Sequence, residues 1–74
     1  MDKTTANSLM KEMLALSQHI DEAGELTKQI IDENERYVIR KGIADVAGIV
    51  YTDIMMPLIR QYPELDPDKD KFEK

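Results

Sequence analysis

Along the first half of the chain a mostly apolar set of positions recurs at alternating steps of four and three: Leu9, Met13, Leu16, Ile20, Ala23, Thr27 and Ile30. That spacing marks a helix packed lengthwise against another helix. Met10, Leu26 and Ile31 widen the stripe beyond a strict two-stranded seam, which suits a helix with more than one neighbour, as in a bundle. Thr4, Thr5 or Ser8 is the expected cap at its start. Gly24 is an internal weak point, costing about 1 kcal/mol against alanine. It is also a place where two backbones can approach closely, or an alternative break near residues 22–25.

A second stripe follows: Tyr37, Ile39, Ile43, Val46, Ala47, Val50 and Ile54. Its β-branched residues, with Gly42 and Gly48 among them, lower intrinsic helix propensity, so this helix depends on tertiary packing. Between the stripes, "IDENERY" has the chemistry of a boundary. Asp32 followed three positions on by Glu35 resembles a capping box, and Glu33 and Glu35 suit a first helical turn. Asn34 is an alternative cap or turn residue. A break at 32–35 predicts helices over 5–31 and 34–56, roughly 40 Å and 35 Å long at 1.5 Å per residue. Near-equal lengths favour an antiparallel hairpin. A single helix through residue 56 would carry the seven-residue spacing on to Tyr37, Ala44, Tyr51 and Leu58, but it would use Asn34, Lys41 and Gly48 as knobs, which they fill poorly. Pro57 ends or kinks the second helix, "PLIRQY" adds a last turn or two, and Pro63 stops it.

Composition bears on what this hairpin does with its apolar surface. The chain has 74 residues, no cysteine and one histidine. One domain is expected, a helical hairpin over 1–62, followed by a flexible acidic tail over 63–74. About sixty folding residues make a marginal core. Disulfides and thiolate-bound zinc are excluded, so association is the remaining way to stabilise it. The expected architecture is all-α, with hairpins pairing into an antiparallel four-helix bundle through Leu9, Met13, Leu16, Ile20, Ile43, Val50 and Ile54.

A net charge of −5 and the absence of tryptophan argue against direct nucleic-acid binding. No secretion-signal layout opens the sequence. The apolar run Ile43 to Ile59 contains Asp45 and Asp53 and is short for a bilayer. The expected location is the cytoplasm, with no membrane contact.

Three short stretches carry four resemblances to known chemistry. "TDIMMP", residues 52–57, resembles the phosphoacceptor stretch of response-regulator receiver domains, which would make Asp53 the acceptor. That family also needs an acidic pair after its first strand, a hydroxyl residue and a downstream lysine. Here Asp21 and Glu22 lie within a helical stripe, and only 21 residues follow Asp53. Asp53 therefore reads as an aspartate near a helix end. His19 in "LSQHIDE" resembles the phosphorylated histidine of dimeric histidine-kinase hairpins, without that family's acidic residue directly after it or its nearby proline. "SQHID" is similar to the Ser-Gln-x-x-Asp motif of small sporulation aspartyl-phosphate phosphatases, where it belongs to the second helix; here only 16 residues precede Ser17. Asp66, Asp68 and Asp70 resemble the opening of a calcium-binding EF-hand loop, which requires glycine where Lys71 stands.

Arg36, Arg40 and Lys41 form the one basic cluster, expected to answer Asp32, Glu33 or Glu35. No catalytic set, cofactor loop or metal cluster has recognised spacing. The expected function is a small acidic protein-binding module (an adaptor, regulator or inhibitor) and not an enzyme, with no cofactor. It would act as a homodimer and meet an unidentified protein through Tyr51, Met55, Met56, Leu58 and Tyr62. Met55 and Met56 cannot both face one seam. The alternatives are an acidic mimic of nucleic acid that blocks a DNA-binding protein, and a phosphate-signalling hairpin acting through His19 or Asp53.

Overall fold

In the computed structural model, which describes residues 1–67, two long helices fold back on one another. Helix α1, Lys3–Leu26, ends in a single 3-10 turn at Thr27–Gln29. Helix α2, Glu33–Ile49, passes directly into a π-helical segment, Val50–Met55, and then into α3, Met56–Gln61. A short 3-10 turn, Pro63–Leu65, follows. No strand forms among the described residues. The helical hairpin implied by two apolar stripes is the architecture observed.

The chain reverses at the predicted boundary. Asp32 Oδ1 accepts from the backbone N–H groups of Asn34 at 2.8 Å and Glu35 at 3.2 Å. Two donors that a helix start leaves unpaired are thereby satisfied. On the near side, the Thr27 hydroxyl donates to the Gly24 carbonyl at 2.6 Å, which lets a polar residue close α1 while buried. The Arg36 guanidinium donates to the Ile30 carbonyl at 3.0 Å and ties the loop to α2. Replacing Asp32 with alanine is expected to cost about 1 kcal/mol. Circular dichroism should show a lower melting midpoint with the low-temperature helical signal intact.

At the other end, α1 starts earlier than expected. Asp2, rather than Thr4, Thr5 or Ser8, is the cap and accepts from the Thr5 N–H at 2.8 Å. The Thr5 hydroxyl and N–H hold the Asp2 carboxyl below its usual 3.8. The chain start is fixed by the chain end: the Tyr62 hydroxyl donates to the Met1 carbonyl at 2.8 Å, and Lys3 Nζ lies 3.0 Å from Glu64 Oε1. The segment expected to hang free from residue 63 thus begins against the body, with Leu65 packed on the core. Asp68, Asp70 and Lys71 of the EF-hand-like stretch lie outside the described residues.

Pro57 does not end the helix. Lacking an N–H, it leaves the carbonyl four residues back without its normal donor. The backbone widens just before it, and the Met56 N–H bonds the Tyr51 carbonyl five positions back. The Thr52 hydroxyl donates to the Gly48 carbonyl at 2.9 Å along the same stretch. One extra residue per turn rotates everything beyond it. The core-facing positions become Val50, Met55 and Leu58, at steps of five and three, and Ile54 swings outward.

The buried apolar residues are Ala6, Met10, Val50, Met55 and Leu58, with Met13, Ile20, Ile59, Tyr62 and Leu65 packed around them. They cluster between the first turns of α1 and the segment from Val50 to Leu65, far from the turn. Gly24, Gly42 and Gly48 all lie inside helices with no positive φ, and a Cβ built on any of them would meet nothing within 4 Å. Each costs about 1 kcal/mol against alanine, and nothing inside the chain offsets it.

Candidate functional site

The hairpin leaves much of its apolar stripe open. Thirteen large hydrophobic residues are exposed, against five buried apolar ones among the described residues. Single exposed hydrophobes are ordinary, but a contiguous patch is informative. A groove of about 400 Å³ runs between the helices, lined by Ile20, Ala23, Val38, Ile39, Gly42, Ile43 and Val46. No charged residue lines it. Leu16 and Leu9 lie seven and fourteen positions before Ala23, and Ile49 seven after Gly42. Helical periodicity puts them on the same two lines. The result is an apolar face built from both helices, bounded at the turn end by Glu35, seven positions before Gly42.

Of the residues expected to pair two hairpins, Leu9 and Leu16 lie exposed on this face. Met13, Ile20 and Ile43 are half-buried between the helices. Val50 is only 5% exposed and fills the hairpin's own core, so it offers no surface to a second chain. Ile54 is exposed, turned away from the core by the π segment. Val38, Ile39, Val46 and Ile49 complete the face; Ile39 and Val46 belong to the predicted second stripe, whereas Val38 and Ile49 were not singled out, because α2 has apolar side chains on more than one side. Among the residues expected to meet a partner, Met55 and Leu58 are likewise buried core, at 5% and 3% exposure. Tyr51 is exposed, and Met56 and Tyr62 are half-buried. Met55 thus takes the seam and Met56 does not, as adjacent methionines on a helix must divide.

The opposite side of the hairpin carries a larger, charged groove of about 640 Å³, with Asp21, Glu22, Glu25, Lys28 and Arg40 above a floor that includes Gly24, Ala44 and Ala47. Lys28 Nζ sits 2.8 Å from Glu25 Oε2. Lys28, and beyond it Arg40, hold the Glu25 carboxyl below its usual 4.5. The basic cluster is not matched to the acids at the start of α2. Arg36 takes a backbone carbonyl, Arg40 faces Glu25, and Lys41 pairs with Asp45 at 3.0 Å.

His19 is exposed, with Nδ1 3.6 Å from Glu22 Oε2. Asp53 lies exposed in the π segment, with Oδ1 3.0 Å from the Thr52 hydroxyl, whose one proton it shares with the Gly48 carbonyl. No cluster of three or more histidine, cysteine or acidic residues capable of holding a metal ion occurs among the described residues.

The continuous helix Glu33–Gln61 has 29 residues and a mean hydropathy of 1.5 over its most apolar stretch, of which 17% is buried. By length and composition it could cross a membrane. The apolar run Ile43 to Ile59, expected to be short for a bilayer, lies inside this longer helix, which stays helical through Pro57 to Gln61. Asp45 and Asp53 remain within it, and each carboxylate at a bilayer centre would cost about 3 kcal/mol.

Comparison with protein families, with curated proteins and with solved structures gives no match to this chain.

Proposed function

We propose that the chain is a small acidic protein-binding module that works as a pair of hairpins. Two copies join into an antiparallel four-helix bundle, and the surface left outside the seam docks on another protein. The observation that carries this reading is the groove between the helices, lined by no charged residue, and the exposed apolar residues that continue it, beside a core of only five buried apolar residues. A single hairpin of this size has too little buried area to be robust. A twofold partner removes that face from water without any new sequence. Exposed Tyr51 and half-buried Met56 and Tyr62 are the residues offered to a second protein, with the −5 net charge steering basic partners towards the pair. Sedimentation equilibrium from low to high micromolar concentration tests the reading. A species of twice 8.5 kDa is expected. A fully helical single chain throughout that range would overturn it.

A further inference from the structure

We infer that the second copy seats on the face formed by Leu9, Leu16, Val38, Ile39, Val46 and Ile49, and that its backbone comes closest over Gly42. The inference rests on the paired-hairpin reading and adds the location and depth of the seam. The six side chains are 39% to 63% exposed. Together they present roughly 500 Å² of apolar surface, the upper range of what monomers leave open. That is more than half of the roughly 800 Å² per partner of a standard interface. The face draws on both helices of an antiparallel hairpin, so a twofold copy can lay its own two helices across it and close a bundle.

Gly42 supplies the depth. It shares the apolar groove with Ala23, another small residue, and no polar side chain lies there. In a single hairpin the space above Gly42 is open. Glycine weakens the helix there without any return inside the chain, whereas a neighbouring backbone laid over it would use the missing Cβ. Gly48 is the internal control. It lies six residues on, about 120° around the helix, and its added Cβ would also meet nothing.

The test is an alanine at Gly42 and, separately, at Gly48 in the 74-residue chain, followed by sedimentation equilibrium and thermal melts. Gly48→Ala should pair as the parent does and melt higher. Gly42→Ala should raise the dimer dissociation constant roughly tenfold or more, because a packed seam resists an inserted methyl group. If Gly42→Ala pairs as tightly as the parent, the seam lies elsewhere and this inference fails while the pairing stands. A parent chain that is monomeric at every concentration removes both. Flotation of the parent chain with phosphatidylcholine vesicles would assign the face to lipid, and would overturn the inference as well.

Discussion

Replacing Met10 with alanine is expected to destabilise the chain by about 2–4 kcal/mol. Met10 is 3% exposed and stands among Ala6, Val50, Met55 and Leu58, so no surrounding side chain is spare to fill the void. A core this small supplies only about 3–5 kcal/mol in total, so the variant should be largely unfolded near body temperature. Urea titrations followed by circular dichroism, at one fixed protein concentration because association adds to apparent stability, should show the midpoint collapse. Ile31→Ala is the matched control. Ile31 is 95% exposed in the turn, and its truncation should stay within about 0.5 kcal/mol. Equal midpoints for the two variants would mean that the packing centre lies elsewhere.

The second large effect concerns association. Val46→Asp places a carboxylate in the middle of the uncharged groove. Burying it against a second chain would require desolvating a charge with no cation opposite, a penalty of several kcal/mol. The dissociation constant should rise by about a hundredfold or more, leaving single chains at micromolar concentration. Val46 contributes nothing to the buried core, so the isolated variant should keep most of its helical signal. Tyr37→Asp alters a residue that is 67% exposed and does not line the groove. It should leave the mass unchanged. A Val46→Asp chain that still sediments as a pair would place the seam on another face.

How far the sequence revealed these features depended on how local each one is. The reversal at Asp32 was readable because a cap is a contact between residues two and three positions apart. The stripe from Leu9 to Thr27 was readable because it repeats. The start of α1 was misplaced because three hydroxyl residues competed with Asp2. Contacts from Tyr62 to Met1 and from Glu64 to Lys3, some sixty positions apart, flank this cap and have no local sequence signal. The π segment left no local signature beyond Pro57, which ordinarily stops or kinks a helix. Its effect was to exchange Ile54 for Met55 on the inner face, so residues assigned to outside partners fill the hairpin's own core. The apolar face was only half legible. Leu9 and Leu16 followed from periodicity, but Val38, Ile39, Val46 and Ile49 needed the hairpin's geometry to separate them from the apolar residues around them.

The position of the core also constrains how quickly the hairpin can form. Met10 and Val50 lie about forty positions apart, and the turn that joins their helices has little buried beside it. A chain that collapses from its turn gains little until that whole loop has closed, and closure entropy slows the search. Folding should therefore be slow for a helical protein of this length. Amide exchange should be fastest around residues 28–38, at the bend, and slowest where the first and last helical turns meet.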